Sequence, residues 1–395
     1  MKILFFAGRM PDLCGAFLHD IDLGIELQKR GHDVAFMALE IPKEGVNGGV
    51  YRGFRFMHYS ANSTYLDLSE VWICPHSPAL PEVRRLNTRG YNRPIIATCH
   101  FDGNYQAITR NNPGRNIRWS EMLMFVNTIM EANYRKNIVP WPPNVANTAT
   151  VRPILHENKI AITDAFQGEY ITLVNANQNK GVTQFVAIAD AMPERKFLAV
   201  TAYYGGFADQ HTPPPRPVHN NIRWVPFEED IRTILKQTRI LLMPSYYESF
   251  GRIGVEAMYN GIPVLYSRPD PKPKTPGGSS EGLHAWISPV GIACDRDAIN
   301  EWVNTIKSLD DETAYSTKSE DSKLHVKNMD LFSEPARIAD IVESFTREHP
   351  VQIRISQGSS QMQSALPSLR GNMSAAQIPE GAGLGLSNGR LRIRR

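Results

Sequence analysis

Pro244-Ser245-Tyr246-Tyr247-Glu248-Ser249-Phe250-Gly251-Arg252-Ile253-Gly254-Val255-Glu256-Ala257-Met258-Tyr259-Asn260-Gly261-Ile262-Pro263-Val264 is the stretch on which the reading of this chain turns. It follows Ile240-Leu241-Leu242-Met243, a short apolar run of the kind that fills a buried parallel strand. Ser249 is a candidate N-cap for the next helix, Gly261 a stop for it, and Val264-Leu265-Tyr266 a second short strand. The loop between strand and helix therefore lies at a strand's carboxyl end. Amides exposed at a helix start, with the positive end of the dipole behind them, suit a phosphate or diphosphate. Glu248 and Glu256 flank that anion site. Glu256, expected about two turns into the helix, is placed to accept hydrogen bonds from a ribose. Glu248, in the loop, lies nearer any sugar carried on the diphosphate. The plain alternative is a pair of surface glutamates beside a buried helix.

The block as a whole resembles the glutamate, seven residues, glutamate motif of retaining glycosyltransferases of the GT-B superfamily, family 4 type, including its Pro-Ser start and Gly-x-Pro-Val end. The resemblance extends over roughly residues 1–345. It implies an α/β protein with two Rossmann-like domains facing across a cleft. It also implies transfer of a sugar from a nucleotide-diphosphate sugar, such as a UDP- or GDP-sugar, with the anomeric configuration kept. No cofactor and no bound metal are expected. In Ile171-Thr172-Leu173-Val174-Asn175-Ala176-Asn177-Gln178-Asn179-Lys180-Gly181-Val182, which reads strand, loop, helix, Lys180 falls where the family's basic pair holds the diphosphate. Asn175 stands where many relatives carry an arginine, and an amide is a weaker phosphate ligand than a guanidinium fork. Ser249, Phe250 and Gly251 would line the diphosphate site. Arg252 either supplies compensating charge or is an exposed helix arginine. Pro276-Gly277-Gly278-Ser279-Ser280-Glu281 resembles the family's glycine loop with its following glutamate, which makes Glu281 a further donor-side candidate; a plain surface excursion is the alternative.

The amino-terminal half supplies the other wall. Lys2-Ile3-Leu4-Phe5-Phe6-Ala7-Gly8 reads as a strand, and Phe17, Ile21, Ile25 and Leu27 space a helix that ends at Gly31 before a strand from Val34. Gly8 and Gly15 do not make the dinucleotide fingerprint. In the resembled family this loop often carries paired glycines; Cys14 replaces one, so close approach falls to Gly15 or the loop is shaped differently. Pro94-Ile95-Ile96-Ala97-Thr98-Cys99-His100-Phe101-Asp102 ends an apolar strand on His100, the position for chemistry in an open parallel sheet. His100 resembles the histidine that faces the transferred sugar, and Asp102 is a candidate base for an acceptor hydroxyl.

At 395 residues the chain exceeds what one hydrophobic core serves. The expected division is an acceptor-side domain over 1–155, a donor domain over 156–333, a crossover helix over 334–350 and a disordered basic tail over 351–395. Residues 140–160 lack periodicity and read as the link between the domains. The composition, 42% hydrophobic and 21% charged, is that of a globular protein. No apolar run reaches the ~20 residues that span a bilayer, and the first strand is too short for a secretory signal, so a cytoplasmic location is expected. Cys14, Cys74, Cys99 and Cys294 show no metal spacing and read as reduced thiols. The tail carries six arginines against one glutamate, for a net +5, and leaves 37 basic and 39 acidic residues in the remainder. Such a tail either attracts nucleic acid or an anionic membrane surface or is a solvated end without a partner.

The expected acceptor is a glycan or a lipid-linked hydroxyl. Two alternatives stay open: a transferase that decorates hydroxylated bases in DNA, drawing on the basic tail, and a non-catalytic protein that binds a nucleotide-sugar or nucleic acid.

Overall fold

A computed structural model describes residues 1–9, 14–40, 49–59, 63–75, 79–101, 108, 118–163, 168–201, 221–271 and 280–351. The first lobe runs β1 (Lys2–Arg9), α1 (Gly15–Lys29), β2 (Asp33–Glu40), β3 (Val50–Tyr51), β4 (Phe54–His58), α2 (Ser63–Leu68), β5 (Val71–Pro75), α3 (Ala79–Leu86), β6 (Ile95–Cys99), β7 (Glu121–Phe125), α4 (Thr128–Asn137) and β8 (Val145–Thr150). Its strands pair in the order β3-β4-β2-β1-β5-β6-β7-β8, parallel except for the short β3-β4 pair. The apolar strands alternate between two covered faces. Leu4 and Phe6 of β1 enter one core layer, while Ile3 and Phe5 enter the other.

After α5 (Glu157–Ile160) the second lobe runs β9 (Tyr170–Ala176), α6 (Val182–Asp190), β10 (Phe197–Thr201), β11 (Ile222–Val225), α7 (Ile231–Leu235), β12 (Thr238–Met243), α8 (Arg252–Tyr259), β13 (Val264–Ser267), α9 (Glu281–Ile287), β14 (Ile292–Cys294), α10 (Ile299–Ser308), α11 (Glu312–Asn328) and α12 (Glu334–Glu348). The sheet is parallel, in the order β11-β10-β9-β12-β13-β14. The run from Ile240 to Met243 behaves as its sequence demands: Ile240 and Leu242 face one layer, Leu241 and Met243 the other.

In both sheets the strand order reverses beside the lobe's first strand, between β1 and β5 and between β9 and β12. Connections leave such a point in opposite directions, which opens a crevice at the carboxyl ends where open α/β sheets bind ligands. In the second lobe the walls of that crevice are the loop from Asn177 to Lys180 and the loop from Pro244 to Gly251.

The chain passes between the lobes twice, before α5 and before α12. Glu334, buried at the second crossing, accepts hydrogen bonds from Arg152 Nε at 2.9 Å and Nη2 at 2.7 Å and from Arg337 Nη2 at 2.7 Å. Burial raises the Glu334 carboxyl's pKa, but the hydrogen bonds from Arg337 and Arg152 outweigh it and leave it below the ordinary value. Helix α12 then returns to the first lobe, where Ile338, Ala339, Val342 and Phe345 complete the layer beneath α1.

Three expectations need correction. Ser249 does not cap α8: the N-cap is Gly251, at φ +75°. Because the helix opens at Arg252, Glu256 lies one turn in rather than two. Residues 140–160 are not wholly a link, since β8 forms the outer strand of the first sheet; its Val-Ala-Asn-Thr-Ala-Thr sequence lacks a strand-like apolar alternation because an edge strand is covered less. The tail beyond Val351, Asp102, the glycines at 277 and 278, and the prolines of 213–217 lie outside the described residues. Among those described, no helix is long and apolar enough to cross a membrane.

Candidate active site

The crevice of the second lobe is closed so tightly that two glycines are required at its walls. Gly181 is the N-cap of α6 at φ +78°, and a Cβ there would stand 2.0 Å from the Pro244 carbonyl oxygen. Gly251, on the opposite loop, would drive a Cβ to 2.8 Å from Leu283 Cδ1. With the loops in contact, the Tyr246 N–H donates to Asn179 O at 2.9 Å. Lys180 Nζ reaches Glu248 Oε1 at 2.6 Å, and Ser245 Oγ donates to the same oxygen at 2.8 Å. Glu248 is buried. A carboxylate out of water requires such donors, and here a cation and a hydroxyl supply them.

The next two carbonyls are also engaged. Asn127 Nδ2, from the first lobe, donates to Ser249 O at 2.7 Å, and Trp286 Nε1 donates to Phe250 O at 2.6 Å. Since the peptide is planar and trans, the amides of Phe250 and Gly251 point the other way. Two N–H groups ahead of α8 are thus turned away from carbonyls that are already engaged, at the helix start where amides can bind an anion.

Glu256 is buried, and its Oε1 accepts from Arg252 Nε at 2.7 Å. Burial raises the Glu256 carboxyl above the ordinary range despite the pull of Arg252. Arg252 is not an exposed helix arginine: its Nη1 also lies 3.5 Å from Asp22 Oδ2 on α1. Asp22 in turn takes Lys159 Nζ at 2.7 Å. A further seam joins the lobes where the rings of Phe101 and Tyr247 meet edge to face, 4.8 Å between centroids.

Asn175 lies on β9 at φ +64°, where the register with β10 shifts, so it occupies a bulge; its Oδ1 accepts from Asn177 Nδ2 at 3.1 Å. Gly15 opens α1, and Glu281 opens α9 with its side chain exposed. The structure therefore brings Lys180, Glu248, Ser249, Phe250 and Gly251 to one crevice, with Arg252 and Glu256 on the helix leaving it.

His100 is half-buried at the end of β6, with its ring edge-on to His19 at 5.2 Å. His19, Asp20 and His100 offer ligating atoms within 4.8 Å of one another. Burial lowers the His19 imidazole to about 4 and raises the Asp20 carboxyl to about 8, so both are neutral near pH 7. His19 Nδ1 accepts from the Ile154 N–H at 3.4 Å, which favours the tautomer with its proton on Nε2.

Sequence reasoning missed His19, Asp20, Asp22, Asn127 and Ser245. A signal existed for Asp20 and Asp22, two acids inside the apolar run of α1. Asn127 carried none, because its partner Ser249 lies 122 positions away, whereas Ser245 stood in the Pro-Ser start of the motif, three residues before the Glu248 it serves.

Residues 216–286 match the profile of the family described as Glycosyl transferases group 1. The fold is GT-B, and the match to the group 1 family falls in the second lobe. A D-inositol 3-phosphate glycosyltransferase of Corynebacterium kroppenstedtii is 28% identical over 123 residues, which cover 31% of this chain and 25% of that relative. The match thus spans about a quarter of the curated relative's length. Among solved structures, the GT-B architecture resembles sucrose-phosphate synthase from Thermosynechococcus elongatus, with a TM-score of 0.67, 15% identity, and coverage of 88% of this chain and 99% of that one. HepE from Anabaena, solved in complex with UDP and glucose, gives a TM-score of 0.66 at 13% identity over 87% of this chain and 100% of its own.

Proposed function

We propose that this GT-B protein transfers a sugar from a nucleoside-diphosphate sugar to an acceptor hydroxyl, with retention of anomeric configuration. The observation that carries the reading is the Lys180–Glu248 pair, held at 2.6 Å at the switch point of the second sheet beside the start of α8. In the structure these two side chains neutralise each other. A sugar diphosphate replaces both halves of that pairing at once: its phosphate oxygens take the ammonium, and its sugar hydroxyls donate to the carboxylate. Lys180 and the amides at the start of α8 then stabilise charge as it develops on the leaving diphosphate. Glu248 holds the sugar's hydroxyls and needs no covalent bond to it, while Glu256 receives the ribose. His100 forms the facing wall.

A carbohydrate acceptor is favoured by Phe101, an exposed aromatic residue at the seam with Tyr247; the neighbouring Tyr246 is also exposed, with one ring face under the Arg296 guanidinium at 3.3 Å. UDP-sugars form the first arm of the test, since the similar HepE was solved with UDP and glucose.

A thermal-shift panel of UDP-, GDP-, ADP- and dTDP-sugars checks donor binding, because a ligand of the native state at 100 times its Kd adds about 2.7 kcal/mol of stability. The expected result is a shift with one base class, followed by release of the nucleoside diphosphate on addition of an acceptor glycan. Absence of any shift, or unchanged turnover in Glu248→Ala, would refute the reading.

A further inference from the structure

The glutamate that receives the ribose is not oriented by its own lobe alone. Arg252 Nε holds Glu256 Oε1 at 2.7 Å, while Arg252 Nη1 faces Asp22 Oδ2 at 3.5 Å across the cleft. Asp22 is buried on α1, and its Oδ1, the oxygen turned from Arg252, lies 2.7 Å from Lys159 Nζ. We propose that Asp22 is a positioning residue for ribose recognition: through the Arg252 fork it sets the Glu256 carboxylate from the opposite lobe, so that the nucleoside is gripped fully only when the lobes meet. The inference rests on the transferase reading above, in which Glu256 is the ribose ligand.

The chemistry of the three groups supports the chain of action. A guanidinium is planar and carries its donors in a rigid fork, so anchoring one arm on Asp22 fixes the direction of the other toward Glu256. Glu256 Oε1 takes only the Nε contact among the hydrogen bonds of the described side chains, which leaves acceptor capacity on the carboxylate for a diol. Burial makes the arrangement sensitive: Arg252 lies between two buried carboxylates, and removal of either leaves its charge uneven in a poorly solvated place. Lys159 serves as an internal comparison, since it binds the other Asp22 oxygen, Oδ1, and among the described residues makes no hydrogen bond or ion pair with Arg252 or Glu256.

The test uses the full chain and isothermal titration with the nucleoside diphosphate that the thermal-shift panel selects, beside its 2′,3′-dideoxy analogue. Loss of hydrogen bonds to a charged group is expected to weaken wild-type binding of the dideoxy compound ~10–100-fold. In Asp22→Asn, which keeps the side chain's shape, the penalty should shrink to within ~3-fold because the intact nucleotide loses affinity and the analogue does not. Arg252→Lys, which keeps the charge but not the fork, should behave alike, and Lys159→Ala should keep the full wild-type penalty. Equal loss for both nucleotides in Asp22→Asn would mark general destabilisation and overturn the proposal, as would an unchanged penalty. If no nucleoside diphosphate binds the wild type, the transferase reading itself fails and this inference with it.

Discussion

Replacing Gly181 by alanine should damage stability and transfer together, by amounts that the crevice geometry sets. The residue sits at φ +78°, where an L side chain costs about 1–2 kcal/mol. Its new Cβ would lie 2.0 Å from Pro244 O, and real Cβ contacts essentially never fall below 3.0 Å, so the Lys180 loop and the Pro244 loop must part by about 1 Å. Overpacking of that kind adds about 1–3 kcal/mol. The total of about 2–5 kcal/mol corresponds to a fall in Tm of roughly 4–20 °C for a lobe of this size. Parting the loops also pulls Lys180 from Glu248, and a displacement of ~1 Å at a reacting centre costs ~100-fold in rate. Calorimetry gives the first quantity, and nucleoside diphosphate release under donor-limiting conditions gives kcat/KM. Gly53→Ala is the matched control, with φ +85° and no atom within 4 Å of the added Cβ; it should lose about 1–2 kcal/mol and no activity. Wild-type kcat/KM in Gly181→Ala, with a Tm loss no greater than that of Gly53→Ala, would refute the claim that these loops form the donor site.

Glu248→Gln removes the partner charge of Lys180 without changing shape, and kcat/KM should drop ~100–1,000-fold with the fold retained by circular dichroism. Asn127→Ala deletes both the bond to Ser249 O and the cap on the Met130 N–H, and should cost about 1–2 kcal/mol by denaturant titration while raising the donor KM. Glu121→Ala strands the buried Arg84 guanidinium, which donates to Glu121 Oε1 at 2.8 Å, and should destabilise by about 3–5 kcal/mol in the same assay. Glu334 has its pKa held below the usual 4.5, so its stabilisation is complete above that value and disappears as pH falls through the folded pKa. The stability gap between wild type and Glu334→Gln should therefore be constant near neutrality and narrow below pH 4.5, as urea titrations across that range will show.

Much of the second lobe was readable because its signals are local. Ile240 to Met243 is apolar on both strand faces, Gly261 stops α8 at a positive φ, and the two glutamates sit a fixed distance apart in one short stretch. The spacing of Ile338, Ile341 and Phe345 marks α12 as a helix, and its return to the first lobe was what the family resemblance implied. What escaped is non-local. Ser249 looks like a cap, but its carbonyl is held by Asn127 from the other lobe, and the chain turns instead through Gly251. Arg252 left two readings open in sequence; its contacts with Glu256 and with Asp22, 230 positions away, remove that of an exposed helix arginine. Asn175 stands out as a missing arginine, yet its left-handed conformation at a bulge depends on the register with β10.

The placement of α12 has a consequence for how the protein is made. The layer under α1 lacks Ile338, Ala339, Val342 and Phe345 until the last described helix has left the ribosome. At ~5–20 residues added per second, the whole second lobe can be synthesised and packed while the first still shows an apolar scar to solvent. The half that emerges first is thus the half whose core is completed last.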